Sequence, residues 1–262
     1  MNTFIQLNEW IMVLTLCTAR FMACYTAFGP LGPPVVTGVA RNVLVLTFAV
    51  GMYPNLWQEF QAHPVSGLFV LMLLFKEVFI GLFIGFFCSL IFEIIQCIGS
   101  LVDTQRGSSM SSVFDPTLGD QTSVLGALLQ RLFVVLFFAG GFFLVFLTGF
   151  YESFQLWPIL SFDPWIHPLF GPLMLREMDS FMRLILLWSA PMLVVMVLVD
   201  VGFGLINRFA PQLNVFFLSM PVKSAGALFM LMSLIWLYQD IILRSKFQLT
   251  HTFQLIKTMI HP

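Results

Sequence analysis

Ionisable side chains inside apolar stretches are the residues of this sequence best suited to chemistry. Glu77, Glu93 and Asp200 each lie in a long run of hydrophobic residues. A charge in a membrane or a subunit core is costly unless it is paired, so Asp200 is a candidate for an ion pair. The alternative is a proton relay, a role that intramembrane acids also serve. Arg208, two helical turns after Asp200, is a further candidate for an intramolecular or intersubunit pair.

Catalytic motifs are absent from the sequence, which contains no Walker A loop and no HExxH, GxSxG or GxGD motif. The four histidines are scattered among predicted loops and the tail, and the four cysteines lack CxxC spacing and are interpreted as inert buried thiols. The sequence therefore predicts that the chain is not an enzyme and holds no metal or other cofactor.

One helical stretch carries a row of small and acidic residues. Glu77, Gly81, Gly85, Ser89 and Glu93 recur at every fourth position, so another helix can approach closely along them. That helix belongs either to the same chain or to a neighbouring subunit. The polar face then continues, at helical spacing, through Gln96, Gly99, Ser100 and Asp103.

A Gly/Ser-rich segment follows, over about residues 107–122. One interpretation is a solvated connector. The other is a pliable plug, in which small residues allow rearrangement while Met110, Val113 and Phe114 supply an apolar seal. The predicted gate residues are Arg106, Gly107, Ser108, Ser109, Met110, Ser111, Ser112, Val113, Phe114, Asp115 and Pro116.

A second group of candidate residues lies towards the C-terminus. Pro221 is predicted to interrupt the last helical stretch near Lys223, and broken helices of this kind can line a cavity. The residues predicted to serve helix packing and intersubunit contact are Glu77, Gly81, Gly85, Glu93, Gln96, Asp103, Asp200, Arg208, Pro211, Asn214, Pro221 and Lys223.

The elements that position these residues are predicted to be membrane helices. Of the 262 residues, 59% are hydrophobic and only 10% are charged, against roughly a quarter in a soluble domain. No strand alternation appears, so the predicted fold is all-α: a multi-pass helical membrane protein with long helical hairpins. The apolar stretches run from Trp10 to Phe28, Val35 to Tyr53, Val65 to Val102, Ser123 to Tyr151, Phe181 to Phe209 and Leu213 to Tyr238.

The length and the charge of these stretches add three expectations. As one straight helix, Val65 to Val102 would be about 57 Å long, nearly twice the hydrocarbon thickness, so it either folds back or projects. The net charge of −1, without a basic stripe, argues against a nucleic-acid partner. An excess of Lys and Arg after Asp240 favours a cytoplasmic C-terminus.

Two sequence signatures resemble the FliR/SpaR/SctT family of type III secretion export proteins. Val102-Asp103-Thr104-Gln105-Arg106-Gly107, with Phe114-Asp115-Pro116, resembles the first signature in its injectisome form. Arg208-Phe209-Ala210-Pro211-Gln212-Leu213-Asn214-Val215-Phe216, followed by Met220-Pro221-Val222-Lys223-Ser224, resembles the second. Weaker similarity at Ala19-Arg20 and Lys76-Glu77 extends the resemblance over roughly residues 10–240.

The resemblance implies a single export-apparatus domain over 1–262, with a tail at about 240–262 that matches nothing recognisable. It implies a T-type subunit that assembles with about five R-type and about four S-type subunits and with the U-type switch protein. The location is the bacterial inner membrane, in contact with lipid, with part of the assembly projecting to the periplasmic side. The segment from Gly107 then corresponds to the plug of the export channel.

The expected function is therefore a structural and gating subunit for the passage of unfolded secreted proteins. A secondary transporter for a small solute is the alternative, and it predicts an internal repeat that the two halves do not show. An intramembrane hydrolase would need a nucleophile and a base at usable spacing, which the sequence lacks.

Overall fold

The computed structural model describes residues 2–29, 38–62, 67–107, 123–162, 170–212 and 214–233. Within these ranges the regular secondary structure is helical, without a strand, which confirms the predicted all-α class. In chain order the helices are α1 (Asn2–Ala27), α2 (Gly38–Val50), α3 (Tyr53–Ala62), α4 (Gly67–Gln105), α5 (Val124–Ala139), α6 (Phe142–Leu156), α7 (Phe170–Phe209) and α8 (Val215–Ser233).

Two compact units divide the described residues. The first contains those within 1–90 and 143–170, and the second contains those within 91–142 and 171–247. The first unit therefore holds α1 to α3, most of α4 and nearly all of α6. The second holds the end of α4, with α5, α7 and α8. The prediction of one functional domain over 1–262 stays a prediction, because a compact unit is defined by contacts and not by function.

The core of the first unit is aromatic. Phe146, Phe150 and Phe154 follow one another at every fourth position of α6, which puts them on one face of the helix. Phe21 of α1 lies 4.4 Å from Phe150 between ring centroids, and Phe28 stacks on Phe146 at 4.5 Å. Such ring pairs add to the free energy of burying their apolar area, so they fix α1 against α6.

Helix α3 corrects the predicted end of the second apolar stretch. That stretch was expected to run to Tyr53, but α2 ends at Val50 and α3 begins at Tyr53. Pro54 lies in the first turn of α3, where no amide is required as a donor, so the proline starts this helix instead of preventing one.

The core of the second unit is formed by α4, α5 and α7. Phe92 lies 5.1 Å from both Phe133 and Phe137 of α5, with the rings edge to face. Farther along α4, Ile94 and Ile98 pack with Ile185 of α7 in a buried cluster. These contacts use one face of each helix and leave much of α7 uncovered.

The apolar stretch predicted from Ser123 to Tyr151 is divided between two helices. α5 ends at Ala139 and α6 begins at Phe142, with the turn at Gly140-Gly141 between them. Gly141 has φ of +72°, a left-handed conformation that residues with a Cβ rarely adopt. Hydropathy does not predict this turn, because the residues on both sides of it are equally apolar.

Among the described residues, four helices are long and apolar enough to cross a membrane, and a fifth span results if α5 and α6 count as one broken span. α4 has 39 residues without a break, so it does not fold back. α7 has 40 residues, continues through Pro191 and begins before the predicted Phe181. Both exceed the roughly 20 residues that cross a bilayer core.

Candidate functional site

The first unit contains a fully buried ion pair between α1 and α4. Arg20 donates from Nε to Glu77 Oε2 at 2.6 Å and from Nη2 to Oε1 at 3.0 Å, and both side chains have 0% exposure. This two-point geometry is the strongest form of a guanidinium–carboxylate bond. The guanidinium carbon also lies 4.0 Å from the ring centroid of Phe154. Glu77, a predicted packing residue, therefore has its partner within the chain.

The same charges hold the chain that follows α6. Arg20 donates to Ser153 Oγ at 3.1 Å and to the Trp157 carbonyl at 2.9 Å. Lys76 pairs with Glu77 at 3.1 Å and donates to three further carbonyls, those of Pro158, Ile159 and Ser161, at 2.7–2.8 Å. Two cations thus share one carboxylate, and the Ser153 hydroxyl and carbonyl oxygens of residues 157–161 accept from their other donors.

The row of small residues on α4 is used for packing inside the chain. A Cβ on Gly81 would lie 2.8 Å from Ala23 Cβ, and one on Gly85 would lie 2.9 Å from Ala27 Cβ. Ser89 Oγ accepts a hydrogen bond from the Gly29 amide at 3.3 Å. The sequence left open whether the helix beside this row belongs to the same chain or to a neighbouring subunit. In the structure, α1 of the same chain lies against it. Glu93, farther along, is half-buried.

The end of α4 packs on α5 in the second unit. A Cβ on Gly99 would lie 2.8 Å from the Leu125 carbonyl carbon, and one on Gly126 would lie 2.8 Å from the Gln96 carbonyl oxygen. Backbones approach this closely only where both helices carry glycine at the crossing. Gln96, a predicted packing residue, thus contributes its main chain to this contact.

Asp103 joins the two ends of the segment 107–122. Its Oδ2 accepts from Ser123 Oγ at 2.7 Å and from the Leu125 amide at 2.8 Å, and its Oδ1 pairs with Arg106 at 2.8 Å. Ser123 is the N-cap of α5 and accepts from the Gly126 amide at 2.8 Å. The carboxylate therefore also lies at the positive end of the α5 dipole, where a negative charge is favourable.

Helix α8 holds the last turn of α4 from another side. Lys223 is 9% exposed, donates to the Gln105 carbonyl at 3.4 Å and forms an ion pair with Asp200 of α7. Gly107 has φ of +84°, and a Cβ there would lie 3.0 Å from Met220 Cε. We call Asp103, Arg106, Gly107, Ser123 and Lys223 the loop base.

Pro221 does not interrupt its helix, so that prediction is wrong. α8 runs from Val215 to Ser233 with Pro221 inside it. The proline lacks an amide and so removes one helical hydrogen bond, and the neighbouring turns are enough to keep the helix continuous. Lys223, two residues after this proline, pairs with Asp200.

The remaining predicted residues differ in their surroundings. Arg208, Pro211 and Asn214 are exposed, and Arg208 forms no ion pair with a described residue. Of the predicted gate residues, only Arg106 and Gly107 lie within the described part of the chain. Ser108 to Pro116 lie outside it.

Sequence reasoning assigned no role at a site to several residues of these clusters. Arg20 and Lys76 are cations within apolar stretches, which is the signal that could have marked them. Ser153 and Ser123 carry no such signal, because serine is common in apolar helices and at their ends. Their roles follow only from contacts between residues distant in sequence.

Residues 11–247 match the family of bacterial export proteins, family 1. The chain belongs to this family. The predicted resemblance to the FliR/SpaR/SctT export proteins of type III secretion is thereby confirmed. Since the described part of the chain contains four long apolar helices, this export protein is an integral bacterial membrane protein.

Named relatives come from both secretion and flagellar systems. The export protein is 37% identical over 219 residues to the Yop proteins translocation protein T of Yersinia pestis, covering 83% of each chain. It is 33% identical over 228 residues to the secretion system apparatus protein SsaT of Salmonella typhimurium, covering 84% of this chain and 85% of the relative. The flagellar biosynthetic protein FliR of Bacillus subtilis is 28% identical over 257 residues, 95% of both chains.

Proposed function

We propose that this export protein is the T-type subunit of a type III secretion export gate in the bacterial inner membrane. With R-type and S-type subunits and the U-type switch protein, it forms the channel through which unfolded secreted proteins pass. Its role is structural and conformational, without catalysis of its own. The names of the relatives, which describe protein translocation and a secretion apparatus, support an export role over the transport of a small solute.

The observation that carries the proposal is the uncovered surface of α7 and α8. Only 22% of the apolar span of α7 and 17% of that of α8 is buried, against 56% for α4. The exposed surface of α7 mixes Val201 and Leu205 with Asn207 and Arg208. Lipid would cover the first two favourably but not a charged side chain, whereas a neighbouring subunit can cover both.

The loop base supports the assignment of the following segment as the gate. Asp103 fixes both ends of that segment, and Lys223 and Met220 hold its first turn. A gate needs two arrangements that differ by only a few kcal/mol, while the frame around it stays in place. In the proposed gate the anchored ends supply the frame, and residues 108–116 exchange contacts with the passing chain.

Deleting Ser108 to Ser112 tests the gate directly. We expect higher ion conductance through the assembled complex, because the shortened segment no longer seals the channel. Removal of the last five residues of the chain, 258–262, is the matched control and should leave conductance at the wild-type level. Unchanged conductance together with unchanged secretion in the deletion variant would remove the gate assignment.

A further inference from the structure

One face of α4 in the first unit is exposed and wholly apolar. Between Leu68 and Phe86 every exposed residue of α4 is apolar, and the two charged residues of this range, Lys76 and Glu77, are buried. The largest of the exposed side chains recur at steps of three and four residues: Leu68, Leu71, Phe75, Phe79, Leu82 and Phe86. They form a band along one side of the helix, which we call the α4 stripe.

The composition and the length of the α4 stripe fit lipid better than another helix. Membrane helices that pack together are enriched in small residues at the contact, and on α4 the small residues Gly81 and Gly85 already face α1. The stripe consists of leucine and phenylalanine instead, and Phe75 is 73% exposed. From Leu68 to Phe86 the helix rises about 27 Å, close to the roughly 30 Å of a hydrocarbon core.

Helix α1 covers the same levels as the α4 stripe. Arg20 bonds to Glu77, which lies 57 residues later, and the Gly29 amide bonds to Ser89, 60 residues later. Because this offset stays nearly constant along the contact, the two helices run parallel. The apolar span of α1, Glu9–Ala27, therefore lies beside the α4 stripe from one end to the other.

An aromatic cluster lies at the level where both helices begin their apolar span. Trp10 of α1 is 5.7 Å from Tyr53 and 5.3 Å from Trp57 of α3 between ring centroids. Tryptophan and tyrosine are enriched at membrane–water interfaces, where an apolar ring and a polar edge both find suitable surroundings. α3 also buries Leu56 and Phe60 and exposes polar residues on its other side. Such a helix is typical of a membrane surface.

A cation lies near the opposite level. Phe21 of α1 contacts Phe48 of α2, with 6.2 Å between ring centroids. Trp10, earlier in α1, contacts Tyr53, which follows α2, so α2 runs antiparallel to α1. Arg41, in the first turn of α2, therefore lies near the level where α1 ends. An arginine at this level can extend its charged end to the headgroups.

We propose that the α4 stripe lies against the hydrocarbon core of the bilayer. One membrane surface passes the cluster of Trp10, Tyr53 and Trp57, and the other passes the start of α2. The ion pair of Arg20 and Glu77 then lies about midway between the surfaces, at the depth where an unpaired charge is most costly. This inference stands apart from the proposed gate, since no residue of the loop base takes part.

The test uses the full chain, with the proteins that co-purify with it, in bilayers of phosphatidylethanolamine and phosphatidylglycerol. Phe75→Cys and Phe79→Cys each carry a nitroxide spin label, and Gln58→Cys, on the exposed side of α3, is the matched control. Power saturation compares the collisions of the label with O2, which concentrates in hydrocarbon, and with a water-soluble nickel chelate. The unsubstituted chain with its native cysteines gives the background.

The ratio of oxygen to nickel accessibility should be several times higher at Phe75 and Phe79 than at Gln58, and it should fall towards both ends of the stripe. Low accessibility to both reagents at Phe75 and Phe79 would mean that protein covers the stripe. A ratio equal to that at Gln58 would mean that water does, and either result overturns the proposal. Leu71→Cys and Leu82→Cys, on the same stripe, supply the measurement where a phenylalanine variant does not accumulate.

Discussion

The charged clusters of the two units differ in how many of their polar groups have partners within the chain. In the first unit, Arg20, Lys76 and Glu77 are sealed from solvent and bonded to one another and to carbonyls. In the second unit, Lys223 is nearly buried, but its partner Asp200 is 40% exposed. Arg106 Nε is buried without a hydrogen-bond partner among the described residues.

Two pairs of helical glycines show the same contrast. Gly81 and Gly85 of the first unit are covered by α1, whereas Gly202 and Gly204 of α7 have open space around them. The buried charges and the glycines of the α1–α4 contact are thus satisfied within the first unit, whereas Asp200, Gly202 and Gly204 of the second unit are open. This division suits a subunit that anchors itself through one part and meets its neighbours through another.

Glu77→Gln should have the largest effect. It leaves two buried cations without a counter-charge, and breaking a buried pair costs about 3–5 kcal/mol. We expect the variant to accumulate poorly in membranes and to aggregate at lower temperature after extraction. Glu152→Gln, at an exposed position of α6, is the control and should behave as the wild type. Normal stability of Glu77→Gln would show that the first unit does not depend on its charge network.

Gly81→Val should rank second. The new side chain meets the backbone and Ala23 of α1, and overpacking of this kind costs about 2–3 kcal/mol. Gly202→Val is the matched control, since nothing lies within 4 Å of that position. Heat-induced aggregation of the extracted chain measures both. Equal effects of the two valines would contradict the difference between the units.

Asp103→Ala should have an intermediate effect. It removes the acceptor of the Ser123 hydroxyl and the Leu125 amide, a loss of about 2 kcal/mol. Hydrogen exchange at the start of α5 should become faster, while exchange in α1 stays unchanged. Asp179→Asn, exposed on α7, serves as control. Unaltered exchange at Leu125 and Gly126 would show that Asp103 does not hold the loop base.

The Asp200–Lys223 pair should have the smallest effect. Because Asp200 is 40% exposed, we expect a coupling of about 1 kcal/mol or less. A double-mutant cycle with Asp200→Asn and Lys223→Met measures it through the thermal stability of the extracted chain. A coupling as large as the Glu77 effect would mean that the second unit is as self-sufficient as the first.

Much of the fold was predictable because hydrophobic stretches mark membrane helices whatever they pack against. The two signatures at Val102–Gly107 and Arg208–Phe216 identified the family. Each combines several polar residues, which are costly in an apolar chain and therefore mark functional positions. The errors lie where local backbone geometry determines where a helix ends. Gly140-Gly141 splits one apolar stretch into two helices, and the second stretch ends at Val50 instead of Tyr53.

The pairing of charges was not predictable from the sequence. Arg20 and Glu77 are 57 residues apart, and Lys223 donates to a carbonyl 118 residues away. Periodicity relates residues within one helix, but it carries no information on which helix lies beside another. Asp200 had Arg208 as its nearest cation along α7, and its partner is Lys223 of α8 instead.

The intact mass of the complex that co-purifies with this chain tests the central claim most directly. The claim is that other subunits of an export apparatus cover α7 and α8. We predict a stable species far heavier than the 29.7 kDa of the chain, containing further export membrane proteins at fixed copy numbers. A well-folded species of 29.7 kDa, stable without any partner, would contradict it.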